Sequence, residues 1–196
     1  DSTMANYGVI DLGSNSVRLV IFDVKDGINK KKPITCKDFR SIINDKVMAG
    51  LSAYVEAGEF TQEGIARAVD VLSGHLKRAR YFNCVRTDIF ATAVLRNCAN
   101  SRKAIRAIEE AIGAPVNLLS ARDEAHLSFA GASCDRTIEK GTVVDLGGGS
   151  TELIRVEEGR DFDDVSIGQG SLSSYAGYVE FVMPQADEVE AIERAF

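Results

Sequence analysis

The sequence predicts an α/β protein, in which a domain with a mixed sheet flanked by helices is followed by the first part of a second, similar domain. The first observation is a pattern that occurs twice, at residues 9–20 and 144–154. Each copy has an apolar strand, an Asp at its end, a turn of Gly and small polar residues, and a second apolar strand. The second observation is helical periodicity between short apolar runs in the stretch that separates the copies. We therefore predict domains at residues 4–121 and 122–196.

The two turns contain more Gly and hydroxyl residues than a reversal of the chain requires. Successive backbone N–H groups in such a turn form a concave site for phosphate oxygens, and the strand-end Asp can hold a divalent cation directly or through water. One copy alone is equally typical of a hairpin with a Gly-rich bulge. The repetition favours two phosphate-binding turns with a ligand between them. Their residues are Asp11, Gly13, Ser14, Asn15 and Ser16 in the first copy, and Asp145, Gly147, Gly148, Gly149, Ser150 and Thr151 in the second.

The other elements of the first half follow from periodicity and from stop signals. An apolar stripe of Ile65, Val69, Leu72 and Leu76 predicts a core-facing helix. The predicted order is a hairpin at 7–24, an irregular third strand at 34–47, a helix at 61–80, a strand at 85–91, a helix at 101–112 and a short strand at 116–119. Lys30, Lys31 and Lys32 form a charge run that we interpret as a solvated turn.

Two charged residues near these elements have both a structural and a functional interpretation. Arg96 follows a predicted strand end, where open α/β folds build ligand crevices, so it is either a surface arginine or a phosphate clamp. Ser120 and Asp123 predict the N-cap of a helix at 121–132. Glu124, in its first turns, either caps the helix or acts as a general base. His126 is interpreted as a partly exposed helix residue.

After the second hairpin, the sequence predicts a small-residue loop at 166–172 and helices at 173–181 and 186–196. These elements are too few to match the sheet of the first half. We therefore expect a fragment of a longer protein or a short relative. An unfinished sheet edge would favour a homodimer.

Composition limits the partners. The net charge of −6 argues against non-specific binding to nucleic acid or to a membrane surface, and no apolar run approaches transmembrane length. An anionic substrate remains compatible, because a metal and a few arginines can reverse the local potential. The four scattered cysteines are expected to be buried free thiols, which predicts a cytoplasmic protein.

Four ordered segments, residues 9–20, 91–100, 120–131 and 143–154, resemble the exopolyphosphatase/guanosine pentaphosphate phosphatase family, and residues 168–172 are a weaker match. The wider resemblance is to the ribonuclease H-like fold of actin, sugar kinases and heat-shock-70 ATPases. It implies hydrolysis of a terminal phosphoanhydride in inorganic polyphosphate or guanosine pentaphosphate. Residues 47–51 depart from the family pattern, because an expected Arg is absent there.

The resemblance also implies roles for the residues above. Asp11 and Asp145 resemble the residues that organise Mg²⁺, and the two turns resemble the phosphate cradle. Arg96 resembles a phosphate-clamping arginine, and Glu124 resembles the general base that orients the attacking water. Two alternatives are also compatible with the sequence: a nucleotide-dependent kinase or ATPase of the same fold, and a non-catalytic sensor of polyphosphate or nucleotide.

Overall fold

A computed structural model describes residues 4–25 and 35–196, so the lysine run and the first residue of the predicted third strand lie outside it. The chain divides into two compact units, residues 1–119 and 120–196.

The first unit is built on a five-stranded mixed sheet with the order β3-β2-β1-β6-β7. Strands β1 to β3 are antiparallel, whereas β6 runs parallel to β1 and β7 parallel to β6. The predicted mixed sheet is confirmed. The strands of this unit, including the small hairpin β4–β5, are β1 Met4–Leu12, β2 Ser16–Lys25, β3 Phe39–Met48, β4 Val55–Glu56, β5 Glu59–Phe60, β6 Arg86–Ala91 and β7 Asn117–Leu118.

Strand β2 is an interior strand of this sheet, and its side chains alternate between buried and partly exposed positions. Val17, Leu19 and Ile21 are fully buried in the core. A register shift opposite Ile21 and Phe22 makes β3 irregular, which agrees with its weak sequence alternation.

Three helices cover the sheet core: α1 Gln62–Tyr81, α2 Ala93–Arg96 and α3 Ser101–Ile112. Helix α1 begins after Thr61, whose side chain accepts a 3.1 Å hydrogen bond from the Gly64 N–H. Ile65, Leu72 and Leu76 of the predicted stripe are buried, whereas Val69 is only partly buried and packs against the core. His75, which lies outside that stripe, is also buried. Helix α3 ends at Gly113, which adopts the left-handed conformation that terminates many helices.

The second unit has a three-stranded antiparallel sheet with the order β10-β9-β8. This order repeats that of β3, β2 and β1, so the duplication extends beyond the hairpin. The elements of this unit are α4 Ala121–Ala132, β8 Lys140–Leu146, β9 Thr151–Glu157, β10 Arg160–Ile167, α5 Ser171–Tyr178 and α6 Ala186–Ala195.

Strand β10 was not predicted, and the expectation of a lone hairpin in this half is wrong. Asp161, Asp163 and Asp164 lie within the strand, and Asp is depleted in strands, so the residues carry little strand signal. A bulge between Asp161 and Asp163 further breaks the alternation.

The second core is small, and it lies on one face of this sheet. Ala125 and Phe129 of α4 pack against Ile154 and Val156 of β9. The opposite face carries exposed apolar side chains: Val144 is 59% exposed, Leu146 60% and Val165 54%.

The structure also shows how exposed the cysteines are and how long and apolar the described helices are. Cys98 is buried, but Cys36 is exposed, so the expectation that all the cysteines are buried is wrong. Among the residues the structure describes, no helix combines the length and apolar character needed to cross a membrane.

Candidate phosphate site

The first turn, loop 1, comprises residues 13–16 and joins β1 to β2. It closes with a 3.1 Å hydrogen bond from the Gly13 N–H to the Ser16 carbonyl. A Cβ on Gly13 would lie 3.0 Å from that carbonyl oxygen, so the close turn favours glycine there. The tip is therefore a tight four-residue turn.

Protein donors hold the carbonyl groups in and beside loop 1. The Ser14 carbonyl accepts a hydrogen bond from the Ser52 N–H, and the Asn15 carbonyl accepts one from the Gly50 N–H, each at 2.8 Å. Within the described part of the chain, the N–H groups of Ser14 and Asn15 donate no hydrogen bond. Carbonyls bonded to the protein, combined with unbonded N–H groups, give the loop a surplus of donors, as an anion requires.

The second turn, loop 2, comprises residues 147–150 and repeats this geometry. The Gly147 N–H donates to the Ser150 carbonyl at 2.9 Å. The carbonyls of Gly147 and Gly148 accept hydrogen bonds from the first N–H groups of α5. In the residues that the structure covers, the Gly148 and Gly149 N–H groups donate none. The two loops therefore share both the closing hydrogen bond and the surplus of donors.

The segment before α5 packs directly on loop 2. The Thr151 hydroxyl donates a 2.7 Å hydrogen bond to the Gln169 carbonyl. A Cβ on Gly170 would lie 2.6 Å from both the Gly147 oxygen and the Gly148 carbonyl carbon, so only glycine fits without moving the loop. The weaker sequence match at residues 168–172 thus corresponds to a backbone support for loop 2.

The strand-end aspartates occupy equivalent places but have different neighbours. Asp11 is exposed, and its Oδ2 approaches Gly13 of loop 1. Asp145 is partly buried and accepts a short hydrogen bond from the Ser128 hydroxyl of α4. Strand register pairs Asp11 with Arg18, whereas it pairs Asp145 with Glu152.

Glu152 is a candidate site residue that the sequence reasoning missed. It is 1% exposed and accepts a 3.0 Å hydrogen bond from the Ser166 hydroxyl of β10. Because cross-strand partners share a face of the sheet, Glu152 and Asp145 lie side by side. Asp145 and Glu152 are equally far in sequence from the centre of loop 2. The hairpin pattern alone therefore predicts that they pair across the strands.

The second hairpin fits Mg²⁺ better than the first does. Mg²⁺ is commonly held by one or two carboxylates, with water and substrate phosphates completing its coordination. Asp145 and Glu152 supply such a pair, whereas the position opposite Asp11 is a permanent cation. Across residues 4–25 and 35–196, no group of three or more His, Cys, Asp and Glu residues is arranged to hold a metal ion.

Arg96 is the last residue of α2, which follows β6. Its Nη1 donates a 3.1 Å hydrogen bond to the Leu119 carbonyl, and the side chain is partly buried. Register pairs Ala91, at the end of β6, with Leu12, at the end of β1. Arg96 therefore follows the same end of the sheet as loop 1.

Glu124 lies in the first turn of α4, and its residue is partly buried. The cap of this helix is made by other residues: the Asp123 N–H donates to the Ser120 hydroxyl, which in turn donates to the Asp123 carboxylate. Ser120 and Asp123 thus form the cap, and Glu124 is the second acidic residue of the first turn, where a carboxylate interacts favourably with the positive helix end. His126, on the same helix, is exposed and places Nδ1 2.7 Å from the Asp161 carboxylate.

A mixed α/β sheet with a duplicated phosphate-type hairpin defines the actin-like ATPase fold class. The sequence model of the Ppx/GppA phosphatase family matches residues 9–196. The chain therefore belongs to this family. A Haemophilus influenzae protein named as a candidate exopolyphosphatase is 31% identical over 147 residues, which is 74% of this chain and 42% of that protein.

Solved structures show the same fold. An exopolyphosphatase from Cytophaga hutchinsonii superposes with a TM-score of 0.83 at 23% identity, covering 97% of this chain and 59% of that one. The Ppx/GppA family member from Aquifex aeolicus gives a TM-score of 0.74 at 24% identity, covering 96% of this chain and 59% of that one. The chain thus spans less than two thirds of the length of these relatives.

Proposed function

We propose that this chain carries the phosphate-binding and catalytic residues of a Mg²⁺-dependent phosphoanhydride hydrolase. Its substrate is inorganic polyphosphate or guanosine pentaphosphate, from which it releases terminal orthophosphate. The observation that carries the proposal is the shared geometry of the two loops. In both, a Gly N–H closes the turn onto a Ser carbonyl, and neighbouring carbonyls accept protein donors. Such loops favour phosphate oxygens over neutral ligands.

The charged residues supply the remaining parts of phosphoryl transfer, which depends mainly on positioning and on charge stabilisation. Asp145 and Glu152 would hold Mg²⁺, with Asp11 as a further carboxylate near loop 1. When bound, Mg²⁺ would neutralise phosphate charge. Arg96 would clamp a phosphate through its planar fork of donors.

Glu124 is the proposed general base. Water attacks the terminal phosphorus, the bond from that phosphorus to the bridging oxygen breaks, and Glu124 accepts the proton that the water loses. The support for this role is its partly buried place in the first turn of α4, together with the family to which the chain belongs.

Orthophosphate release tests this function. Medium-chain polyphosphate, guanosine pentaphosphate and ATP are supplied in turn, with Mg²⁺ or with a chelator. Removal of a general base costs about 10²- to 10⁴-fold in turnover, so we expect this loss in Glu124→Gln with tripolyphosphate binding retained. Glu110→Gln, an exposed change on α3, serves as the matched control.

The outcomes separate the candidate functions. Metal-dependent release that is lost in Glu124→Gln and kept in Glu110→Gln supports the hydrolase and ranks its substrates. Preferential cleavage of ATP would indicate a nucleotide-dependent enzyme instead. Binding of tripolyphosphate without turnover of any substrate would identify a sensor and contradict the hydrolase.

A further inference from the structure

A buried histidine lies behind loop 1 and is not used by the proposed chemistry. His75, on α1, is 2% exposed. Its Nε2 lies 3.2 Å from the carbonyl oxygen of Val17, the residue that directly follows loop 1. Because a carbonyl only accepts hydrogen bonds, Nε2 must carry the proton in this contact.

The other ring nitrogen of His75 faces an ion pair. Nδ1 lies 3.3 Å from the Asp45 Oδ2, and Arg78 pairs with the same oxygen. Asp45 Oδ2 thus lies close to both side chains, and within the described residues it makes no hydrogen bond. The contacts connect α1, β3 and β2, and they fix the orientation of the imidazole ring.

His75 completes a series of carbonyl contacts. The carbonyls of Ser14, Asn15, Ser16 and Val17 accept hydrogen bonds from Ser52, Gly50, Gly13 and His75, in that order. Three of these donors are backbone N–H groups, and His75 supplies the one side chain. Carbonyls held by the protein cannot turn toward a bound anion, where they would repel it.

We propose that His75 is a positioning residue for loop 1, holding the Val17 carbonyl so that the loop keeps its N–H groups available for phosphate. This inference rests on the proposed function, since it assigns phosphate as the ligand of the loop. It assigns His75 no contact with the phosphate itself.

Two substitutions separate the positioning role from packing. His75→Leu fills a similar space but removes the donor to Val17. His75→Gln places an amide N–H near the position of Nε2, so it restores the donor without the imidazole. Ile108→Ala, in the buried face of α3, is the control for general loss of stability, because it enlarges the core without removing a loop contact.

The probe is tripolyphosphate with Mg²⁺, measured by calorimetry on folded protein. Loss of one buried hydrogen bond leads us to expect about tenfold weaker binding in His75→Leu, recovery to within about threefold in His75→Gln, and wild-type affinity in Ile108→Ala. Wild-type affinity in folded His75→Leu would overturn the inference, as would equal weakening in the Leu and Gln variants.

The amide resonances of Ser14 and Asn15 provide a readout that does not depend on the proposed function. If His75 positions the loop, these resonances move in unliganded His75→Leu and return in His75→Gln. Unmoved resonances would overturn the positioning role. A wild-type chain that binds no tripolyphosphate, but whose loop resonances respond to His75→Leu, would refute the proposed function while retaining His75 as the residue that shapes the loop.

Discussion

Glu152 and Arg18 occupy equivalent positions in the two hairpins, yet their charges are opposite. Arg18 lies across from Asp11, and Glu152 lies across from Asp145. The two hairpins thus share a backbone arrangement but place opposite charges across from the strand-end Asp. The first hairpin has a carboxylate with a cation beside it, whereas the second has a carboxylate pair that a divalent cation would stabilise.

The carboxylate pair gives a prediction about metal affinity. Glu152→Gln keeps an oxygen that can accept the Ser166 hydroxyl but removes the charge, so the Mg²⁺ concentration for half-maximal orthophosphate release should rise about 10- to 100-fold. Glu157→Gln, an exposed change farther along β9, is the control. An unchanged Mg²⁺ requirement in Glu152→Gln would remove this residue from the metal site.

His75 gives a prediction about the pH dependence of stability. Burial lowers the pKa of His75, and the hydrogen bond to Val17 opposes this shift in part. Below about pH 6.5, the ordinary histidine pKa, the unfolded chain takes up a proton more readily than the folded chain does. This contribution to the free energy of unfolding is therefore present above that pH and is lost as the pH falls toward the pKa of the folded state.

Urea denaturation at pH 7.5, 6.5 and 5.5 measures this effect. Wild type should lose stability relative to His75→Gln as the pH falls, by at most about 1.4 kcal/mol per pH unit. Parallel pH dependence in the two proteins would show that His75 binds its proton equally well in the folded and unfolded states.

At the scale of elements, the packing of the segment before α5 on loop 2 can be tested by adding a single carbon atom. Gly170→Ala would place a Cβ against the backbone of Gly147 and Gly148, so we expect a loss of about 1–3 kcal/mol in stability and weaker tripolyphosphate binding. Gly168→Ala is the matched control, because no atom lies within 4 Å of the Cβ it would add. Wild-type binding and stability in Gly170→Ala would show that loop 2 can shift to accommodate the added Cβ without a loss of stability.

The elements that the sequence predicted well are those with local signals. The apolar stripe of α1, the left-handed stop at Gly113 and the Ser120 cap each act within a few residues of the chain. The hairpins were predicted because their pattern occurs twice. None of these signals depends on contacts with distant parts of the chain.

The elements and contacts that were missed depend on residues far apart in the chain. Strand β10 has an acidic sequence with a bulge, and it is a strand because β9 is available to pair with it. Likewise, His75 on α1 contacts Val17 on β2 and Asp45 on β3, and no local sequence pattern predicts these contacts. The Asp145 and Glu152 pair is intermediate, since it follows once the hairpin register is known.

At the scale of the whole molecule, the second unit has a sheet with two edge strands and an exposed apolar face. Register places Val144, Leu153 and Val165 in one row across this face. Exposed edges and apolar rows promote association, so the homodimer stays a prediction with a defined surface.

Sedimentation velocity over a range of concentrations tests this association. A Val144→Lys and Val165→Lys double variant should remain monomeric at concentrations where the wild-type chain dimerises. Tyr81→Lys, which changes a side chain that is 81% exposed in the first unit, is the control. A wild-type chain that stays monomeric throughout would refute the dimer.

The proposed function requires both loops to bind phosphate through their backbone N–H groups. Titration of ¹⁵N-labelled chain with tripolyphosphate and Mg²⁺, followed by amide resonances, tests it most directly. We expect the amides of Ser14 and Asn15 in loop 1, and those of Gly148 and Gly149 in loop 2, to shift and to saturate as tripolyphosphate is added. Saturable binding that leaves these four amides unmoved would contradict it.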